Sequence, residues 1–461
     1  MANTLGELHT EGIELSKIQE IRFCHNYGEH AELTLYGLQQ NETSMEKFNE
    51  IQESTRLSLV ADTKEKKKTI FHGLVTHAEM ENTGGLFRLI IKAKSLSCCM
   101  DIVKKSRTFQ DTTMTYHQLI QKVTAEYPQA DVKLCFQDQP IGSIAVQYQE
   151  TDWEFLKRML SLIYQPLSCS ADGTNIQIYA GLPDLECLET RLSETEYVKD
   201  MEQFYLWQEM GADIQEIDMF VCKAQSDAMV NLFEKIMLMD QQFLISAVQI
   251  KSIKGVLKSF VKLQRKEGIL EKPVYPMHLI GVALEGTVTE VKGSKIRVLL
   301  DIDKGDRATA HYWFPYSTLS ASPDGSGWYC MPEIGDRVRI NFPSKNTKDA
   351  VGISCVSTYR GKDRMGNPAD RYLRTRNGQE MSLSSGVKLK NGPSAIRIGD
   401  DFNMTTSNAI HIRASEKITL NAADALKLHS STENSCQGGT GSITLDESGN
   451  LLIKGNHLII G

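Results

Sequence analysis

Ile410-His411-Ile412-Arg413-Ala414-Ser415-Glu416-Lys417-Ile418-Thr419-Leu420-Asn421-Ala422-Ala423-Asp424-Ala425-Leu426-Lys427-Leu428 carries three apolar couplets, and their first members stand eight residues apart. Two apolar residues at alternating positions make a very short strand with one buried face. Repetition of that unit predicts a quasi-linear β structure in which no single repeat buries its own face. The series runs through Met381/Leu383, Val387/Leu389, Ile396/Ile398, Ile443/Leu445, Leu451/Ile453 and Leu458/Ile460. After Pro393 there is no proline, and after Tyr372 the only aromatic residue is Phe402. A packed globular domain leans on aromatic side chains for its core, whereas Ile, Leu and Val at two per repeat suit a thin column. A single-chain solenoid usually needs longer turns. Repeats of eight residues fit better when several chains wind round one axis and share a core.

Working outward, a chain of 461 residues is long enough for about three domains. The net charge is −7 with both signs mixed, so no basic footprint points to nucleic acid. The one dense basic run, Lys64-Glu65-Lys66-Lys67-Lys68, reads as a solvated hairpin tip. No apolar run is long enough to span a membrane as a helix. The start, Met1-Ala2-Asn3-Thr4, lacks a basic n-region and apolar h-region, so synthesis in the cytosol without Sec export is expected. Ten scattered cysteines with no C-x-x-C pair read as reduced and mostly structural.

Residues 1–270 read as two β modules with helices inserted between them. Ile18–Phe23, Ala31–Tyr36, Arg56–Val60, Thr69–Val75 and Phe87–Ala93 are strand-like. Thr115 is placed to cap a helix carrying Tyr116, Leu119, Ile120 and Val123. Thr151 and Glu154 have capping-box spacing ahead of Trp153, Phe155, Leu156, Met159 and Leu160. Residues 180–270 read as further β segments, clearest at Phe243–Ile253 and Val256–Leu263, with 226–239 open between helix and strand. Residues 275–360 alternate as five strands, Ile280–Glu290, Lys295–Leu300, Ala308–Phe314, Asp336–Phe342 and Val351–Val356, which predicts a small closed barrel of the OB type. Trp313, Trp328 and Tyr329 could offer stacking faces, but no basic residues are interleaved, so packing in the core and rim is expected. Residues 361–461 are the repetitive tail.

No catalytic, cofactor-binding or metal-ligating constellation stands out. There is no H-E-x-x-H, G-x-S-x-G or P-loop. His72 and His77 share one strand-like segment and are five apart, which does not make a metal pair. Gly438-Gly439-Thr440-Gly441 reads as a loop interrupting the tail, and His411 alternates with Ile410 and Ile412, which predicts that it faces outward.

Three stretches, in this order, resemble the VgrG-type spike of contractile injection systems, the fused hub and spike of contractile phage tails. They are Ile70-Phe71-His72-Gly73-Leu74-Val75, with a mid-strand glycine; Tyr148-Gln149-Glu150-Thr151-Asp152-Trp153-Glu154-Phe155-Leu156-Lys157-Arg158; and Gly327-Trp328-Tyr329-Cys330-Met331-Pro332-Glu333-Ile334-Gly335-Asp336-Arg337-Val338-Arg339-Ile340-Asn341-Phe342. The residues that carry the resemblance are Gly73, Glu150, Thr151, Asp152, Phe155, Arg158, Pro332, Gly335, Val338 and Phe342. It implies a mainly β homotrimer with two hub β-barrels and inserted helices, an OB-fold neck, and an intertwined triple-stranded β-helix. It also implies inner-tube, tube-adaptor and baseplate partners at the hub; this sequence departs from the pattern in carrying no lysozyme-like domain between barrel and tail, and no enzymatic role is expected. A PAAR-type tip protein on His457, Leu458, Ile459, Ile460 and Gly461 is expected, with effector cargo as a further partner. Rival readings are a secreted β-solenoid adhesin, which would call for an export signal, and a cell-wall-degrading tail enzyme with a carbohydrate-binding barrel. Phage tail, tailocin, type VI and extracellular particle are not distinguished by these residues.

Overall fold

The computed structural model describes residues 4–39, 44–62, 67–84, 86–303, 310–355, 357, 369–457 and 459. The chain forms two compact units, residues 1–358 and residues 359–461.

The first module consists of β1 (Leu8–Glu11), β2 (Lys17–Asn26), β3 (Glu32–Gln39), β4 (Arg56–Asp62), β5 (Lys67–Thr83) and β6 (Leu86–Ser95). An insert follows, made of β7 (Lys105–Phe109), α1 (Tyr116–Thr124), β8 (Asp131–Cys135), β9 (Ala145–Glu150), α2 (Asp152–Ser161), β10 (Leu167–Cys169) and β11 (Gln177–Gly181). The second module holds β12 (Cys187–Leu188), β13 (Leu192–Lys199), α3 (Met201–Glu209), β14 (Phe220–Ser226), β15 (Lys235–Leu238), β16 (Gln241–Ile253) and β17 (Val256–Gln264). The strands of the two modules share one twelve-stranded sheet, because β2 pairs with β16 from Arg22↔Lys251 to Asn26↔Ala247. One core runs through both, with Ile21, Phe23, Leu33, Leu57, Phe71 and Ile91 joined to Ile245, Val248 and Leu263.

The insert folds as its caps predict. Thr115 Oγ1 accepts from the Gln118 amide while Gln118 Oε1 accepts from the Thr115 amide. Thr151 and Glu154 make the same reciprocal pair at 3.1 and 2.9 Å. Each box satisfies helix N-terminal donors that have no partner within the helix. The apolar faces of α1 and α2 meet in a separate core containing Leu119, Ile120, Trp153, Phe155, Leu156 and Leu160.

Two expectations for residues 180–282 need correction, and one open stretch is resolved. Met201–Glu209 is a helix rather than β structure; Asp200 caps it by accepting from the Gln203 amide, and Phe204 and Trp207 anchor it in a small core of its own. The stretch 226–239, open between helix and strand, holds no helix: Ser226 ends β14, 227–234 is irregular, and Lys235–Leu238 is β15. The strand expected from Ile280 starts at Ala283, because Met277–Leu279 is a 3-10 turn and Gly281 sits at φ +80°.

The barrel strands β18 (Ala283–Lys292), β19 (Lys295–Leu300), β20 (Trp313–Pro315), β21 (Arg337–Asn341) and β22 (Val351–Cys355) lie in the order β20-β19-β18-β21-β22. A parallel bridge between Tyr316 and Gly352 closes the sheet on itself. Leu284, Val288, Ile296, Val298, Phe314, Val338, Ile340 and Phe342 fill the interior.

The second unit has two antiparallel meanders. The first is β23 (Arg371–Arg374), β24 (Glu380–Leu383), β25 (Val387–Asn391), β26 (Ser394–Ile398) and β27 (Phe402–Thr405); the other is β28 (Asn434–Gly438), β29 (Gly441–Leu445) and β30 (Leu451–Lys454). Gly439-Thr440 is thus a tight hairpin turn, not a loop interrupting the tail. The couplets at 410/412, 418/420 and 426/428 form no strand within the chain. The expected tip of the lysine-rich run (64–66), Ala308, Val356 and the tail's first residues (361–368) lie outside the described residues.

Gly73 shows what the mid-strand glycine does. A Cβ built there would stand 2.0 Å from the Lys94 carbonyl oxygen and 2.6 Å from the Phe71 ring. Only a residue without a side chain lets β5 cross β6 this closely. Gly73→Ala is expected to destabilise the first unit by about 1–3 kcal/mol through overpacking, read as a lower urea midpoint with an unchanged slope.

Candidate functional site

Helix α2 begins where the chain leaves β9, and the Glu-Thr-Asp step at that corner builds the most connected polar cluster in the first unit. Arg158, 4% exposed, sends a fork back to Glu150, with Nε at 2.6 Å from Oε1 and Nη2 at 2.7 Å from Oε2. Nη2 also donates to the Val146 carbonyl at 2.7 Å, which fastens α2 to β9 at two levels. Thr151 Oγ1 donates to Asp101 at 2.5 Å besides capping the helix. Phe155 is fully buried and stacks on Phe109 of β7, with centroids 5.6 Å apart.

Asp152 has no exposed surface, yet it is ionised. Burial alone would raise its pKa; hydrogen bonds from Lys105, Tyr127 and Gln147 and the charge of Arg107 hold it below the usual carboxylate range. Lys105 Nζ lies at 2.5 Å, Arg107 Nη2 at 2.6 Å, Tyr127 Oη at 2.6 Å and Gln147 Nε2 at 3.0 Å. Glu126 pairs with the same lysine and arginine from outside. Two charges on β7 and one amide on β9 therefore converge on one carboxylate at the helix start.

The β7–β9 ribbon held in this way also holds the barrel. Ile144 and Val146 are buried in the barrel core with Leu284, Val298 and Phe342. On β7, the Thr108 amide donates to Asp303 Oδ1 at 2.6 Å, and the Thr108 hydroxyl donates to Oδ2. Gln110 Nε2 donates to the Val298 carbonyl at 3.2 Å, and its Oε1 accepts from the Tyr312 amide at 3.3 Å. Thr347 Oγ1 donates to the Ile144 carbonyl at 2.8 Å. The motif corner is thus one end of a clasp, and the barrel is the other.

In the barrel, Pro332 is buried and Gly335 sits at φ +95°, a left-handed conformation that favours glycine. The Gly335 amide donates to the Val288 carbonyl at 2.8 Å, and Asp336 Oδ2 accepts from the Glu333 amide at 2.8 Å. The turn sets the register of β21, so Val338 and then Phe342 point inward, at 1% and 0% exposed. Trp328 and Tyr329, expected in the core or rim, are outside the core at 46% and 75% exposed on the loop between β20 and β21, where Tyr329 Oη donates to the Gly293 carbonyl at 3.0 Å. Trp313 is covered instead by Arg297, whose guanidinium lies 4.6 Å from the ring centroid.

His457 and Ile459 are exposed, and Leu458, Ile460 and Gly461 lie outside the described residues. His411 is exposed, but so are Ile410 and Ile412, because no core exists for them to face within the chain. Among the described residues no cluster of His, Cys, Asp and Glu could hold a metal ion, and no helix is long and apolar enough to cross a membrane.

Two family models match this architecture. Residues 49–162, from the first module into α2, match the phage tail baseplate hub (GPD). Residues 284–356, the barrel, match the type VI secretion system/phage-baseplate injector OB domain. Among solved structures, the fold is similar to the Escherichia coli c3393 protein, a component of the type VI secretion system described as resembling T4 bacteriophage tail proteins gp27 and gp5. That match has a TM-score of 0.55 at 14% identity, covering 76% of this chain and 99% of the other. The fold is also similar to a chain of the Francisella PdpA-VgrG complex, with a TM-score of 0.54 at 10% identity, covering 84% of this chain and 76% of the other. A comparison with curated protein sequences returns no match. Two stretches of the chain thus match the baseplate-hub and injector-OB families, and the resemblance to VgrG-type spikes holds.

Two outcomes test this reading of the corner and the seam. Arg158→Met should destabilise the first unit by about 3–5 kcal/mol in chemical denaturation, since it strands Glu150 in the interior, whereas Glu150→Leu with Arg158→Met should recover most of that loss. His25, buried at the β2–β16 seam beside Cys169, has its pKa lowered to about 4, chiefly by burial. The folded state resists protonating it, so its contribution is complete above about pH 6.5 and is lost as pH falls towards 4. Stability should drop by on the order of 3 kcal/mol over that window, and His25→Gln should flatten the profile.

Proposed function

We propose that the chain is the central spike of a contractile injection machine, working as a homotrimer and driven through a target envelope when a sheath contracts. The observation that carries this reading is the uncovered apolar face of the second unit. Registers align Leu373, Met381, Leu389, Ile396 and Met404 in one row, and Leu383, Val387, Ile398 and Phe402 in the next, all on one side of the sheet. Ser382, Lys388, Arg397 and Asn403 occupy the other side. No described residue from 369 to 459 is buried. An amphipathic sheet with its apolar face in water needs a cover, and identical copies arranged about an axis supply one.

In this role residues 1–270 are the hub under the inner tube, 275–360 the neck, and 361–461 the spike. The clasp through β7 and β9 passes load from hub to neck. The products would be made in the cytosol and delivered outward by the particle, with a PAAR-type tip protein seated on residues 457–461 and effector cargo beyond it.

Long-range strand pairing among copies gives a high barrier to separation. The assembled protein should therefore resist SDS at room temperature and migrate as three chains, and Leu389→Asp with Ile396→Asp should convert it to a single-chain band. A wild-type single-chain band would contradict the reading. Deleting residues 455–461 should abolish capture of a tip protein while leaving the SDS-resistant species intact.

A further inference from the structure

In the second module, β14 and β17 pair Val221 with Gln264 and Lys223 with Lys262, so these four side chains share one face of the sheet. Residues of α3 and of 268–272 join the Gln264 end of that face in lining a cavity of about 390 Å³. Its floor is apolar and buried, made by Trp207, Met219 and Val221. Its polar wall is Tyr27, Lys262, Gln264 and Glu271, and Asp200, the cap of α3, stands exposed at the rim.

Two groups in that wall lack the partner that burial normally demands. Gln264 is 7% exposed, and its Nε2 donates to the Gly268 carbonyl at 3.5 Å. Its Oε1 is buried with no donor among the described residues. Lys262 is half-buried, and burial together with the charge of Lys223 pushes its ammonium down in pKa, which Asp200 offsets only in part. Lys223, directly across the ladder, has a carboxylate of its own, Glu196 at 3.1 Å. Among the described residues Lys262 has no such ion pair. Glu271 is also half-buried, with Lys157 Nζ 3.9 Å from Oε1 and its pKa raised by burial. An acceptor without a donor and an ammonium without an anion each cost free energy that no contact inside the chain offsets.

We propose that this cavity binds a small zwitterion of the α-amino acid type, free or as a dipeptide, with its carboxylate on Lys262, its ammonium on Gln264 Oε1 and Glu271, and its side chain on Trp207 and Met219. The chemistry of the wall excludes the simpler ligands. A phosphate or other dianion would meet Asp200 and Glu271, an apolar molecule would leave Lys262 and Gln264 stranded, and a plain cation would face Lys262. A carboxylate beside an ammonium satisfies each group, and the apolar floor takes the remaining surface. The volume lies within the roughly 300–1,000 Å³ of small-molecule pockets. Such a site depends on neither the tail nor the number of copies.

Isothermal titration of the purified full chain with leucine, leucyl-leucine, leucinamide and N-acetylleucine tests this. Leucine or leucyl-leucine should bind saturably, one per chain, and the tighter of the two identifies the source as free amino acid or dipeptide. Leucinamide, which lacks the carboxylate, and N-acetylleucine, which lacks the ammonium, should each bind weaker by about tenfold or more. Lys262→Met and Gln264→Met should each weaken the zwitterion by about tenfold or more. The urea midpoint of Lys262→Met without ligand should stay level or rise, because the substitution removes an unpaired, half-buried charge. Absence of saturable binding by both zwitterions overturns the proposal. So does equal binding of leucinamide or N-acetylleucine, or unchanged affinity in both variants. A lower urea midpoint in Lys262→Met overturns it as well, since Lys262 would then have a partner within the chain.

Discussion

The second unit presents an apolar face that none of its own described residues cover. Among the described residues, every large core belongs to the first unit: one through the fused β modules, one in the helical insert and one in the barrel. Leu389, Ile398 and Phe402 of the tail remain 45%, 46% and 63% exposed. At about 25 cal/mol per Å² of apolar surface removed from water, a row of such residues has a strong drive to associate. Exposed edges and faces of this sort normally invite indiscriminate aggregation.

The joint at the start of α2 fixes the helical insert to the barrel. Its ion pairs are buried, and such pairs contribute little net stability relative to apolar replacements. What they contribute is geometry. Arg158 reaches Glu150 and the Val146 carbonyl at once, so the helix axis and β9 are fixed relative to each other. Asp152 draws in Lys105, Arg107 and Gln147, so β7 is fixed to the same point. Val146 and Thr108 then carry that fixed ribbon into the barrel. The two parts are thus connected through packed side chains and paired charges.

Local signals in the sequence were read well because their physics is local. Thr115 and Thr151 are caps, Gly335 is a turn with positive φ, and alternation at Lys295–Leu300 and Val338–Phe342 is barrel lining. The fused sheet was not legible. Pairing of Phe23 with Ile250 joins residues more than two hundred positions apart, and nothing in either strand names its partner. Asp152 as a hub for Lys105 and Arg107 was hidden for the same reason. Helix α3 was missed because Met201–Glu209 has only two buried residues and a weak apolar stripe, although Asp200 three residues before Gln203 was a usable cap signal. The couplets at 410–428 are the instructive case: their pattern specifies a strand face, and a single chain gives that face nothing to pair with.

The most direct test is the solution mass of the full chain by light scattering, measured across a dilution series. The account predicts three chains at every concentration down to the detection limit, because a shared core does not come apart by simple dilution. A monomer at all concentrations would contradict it.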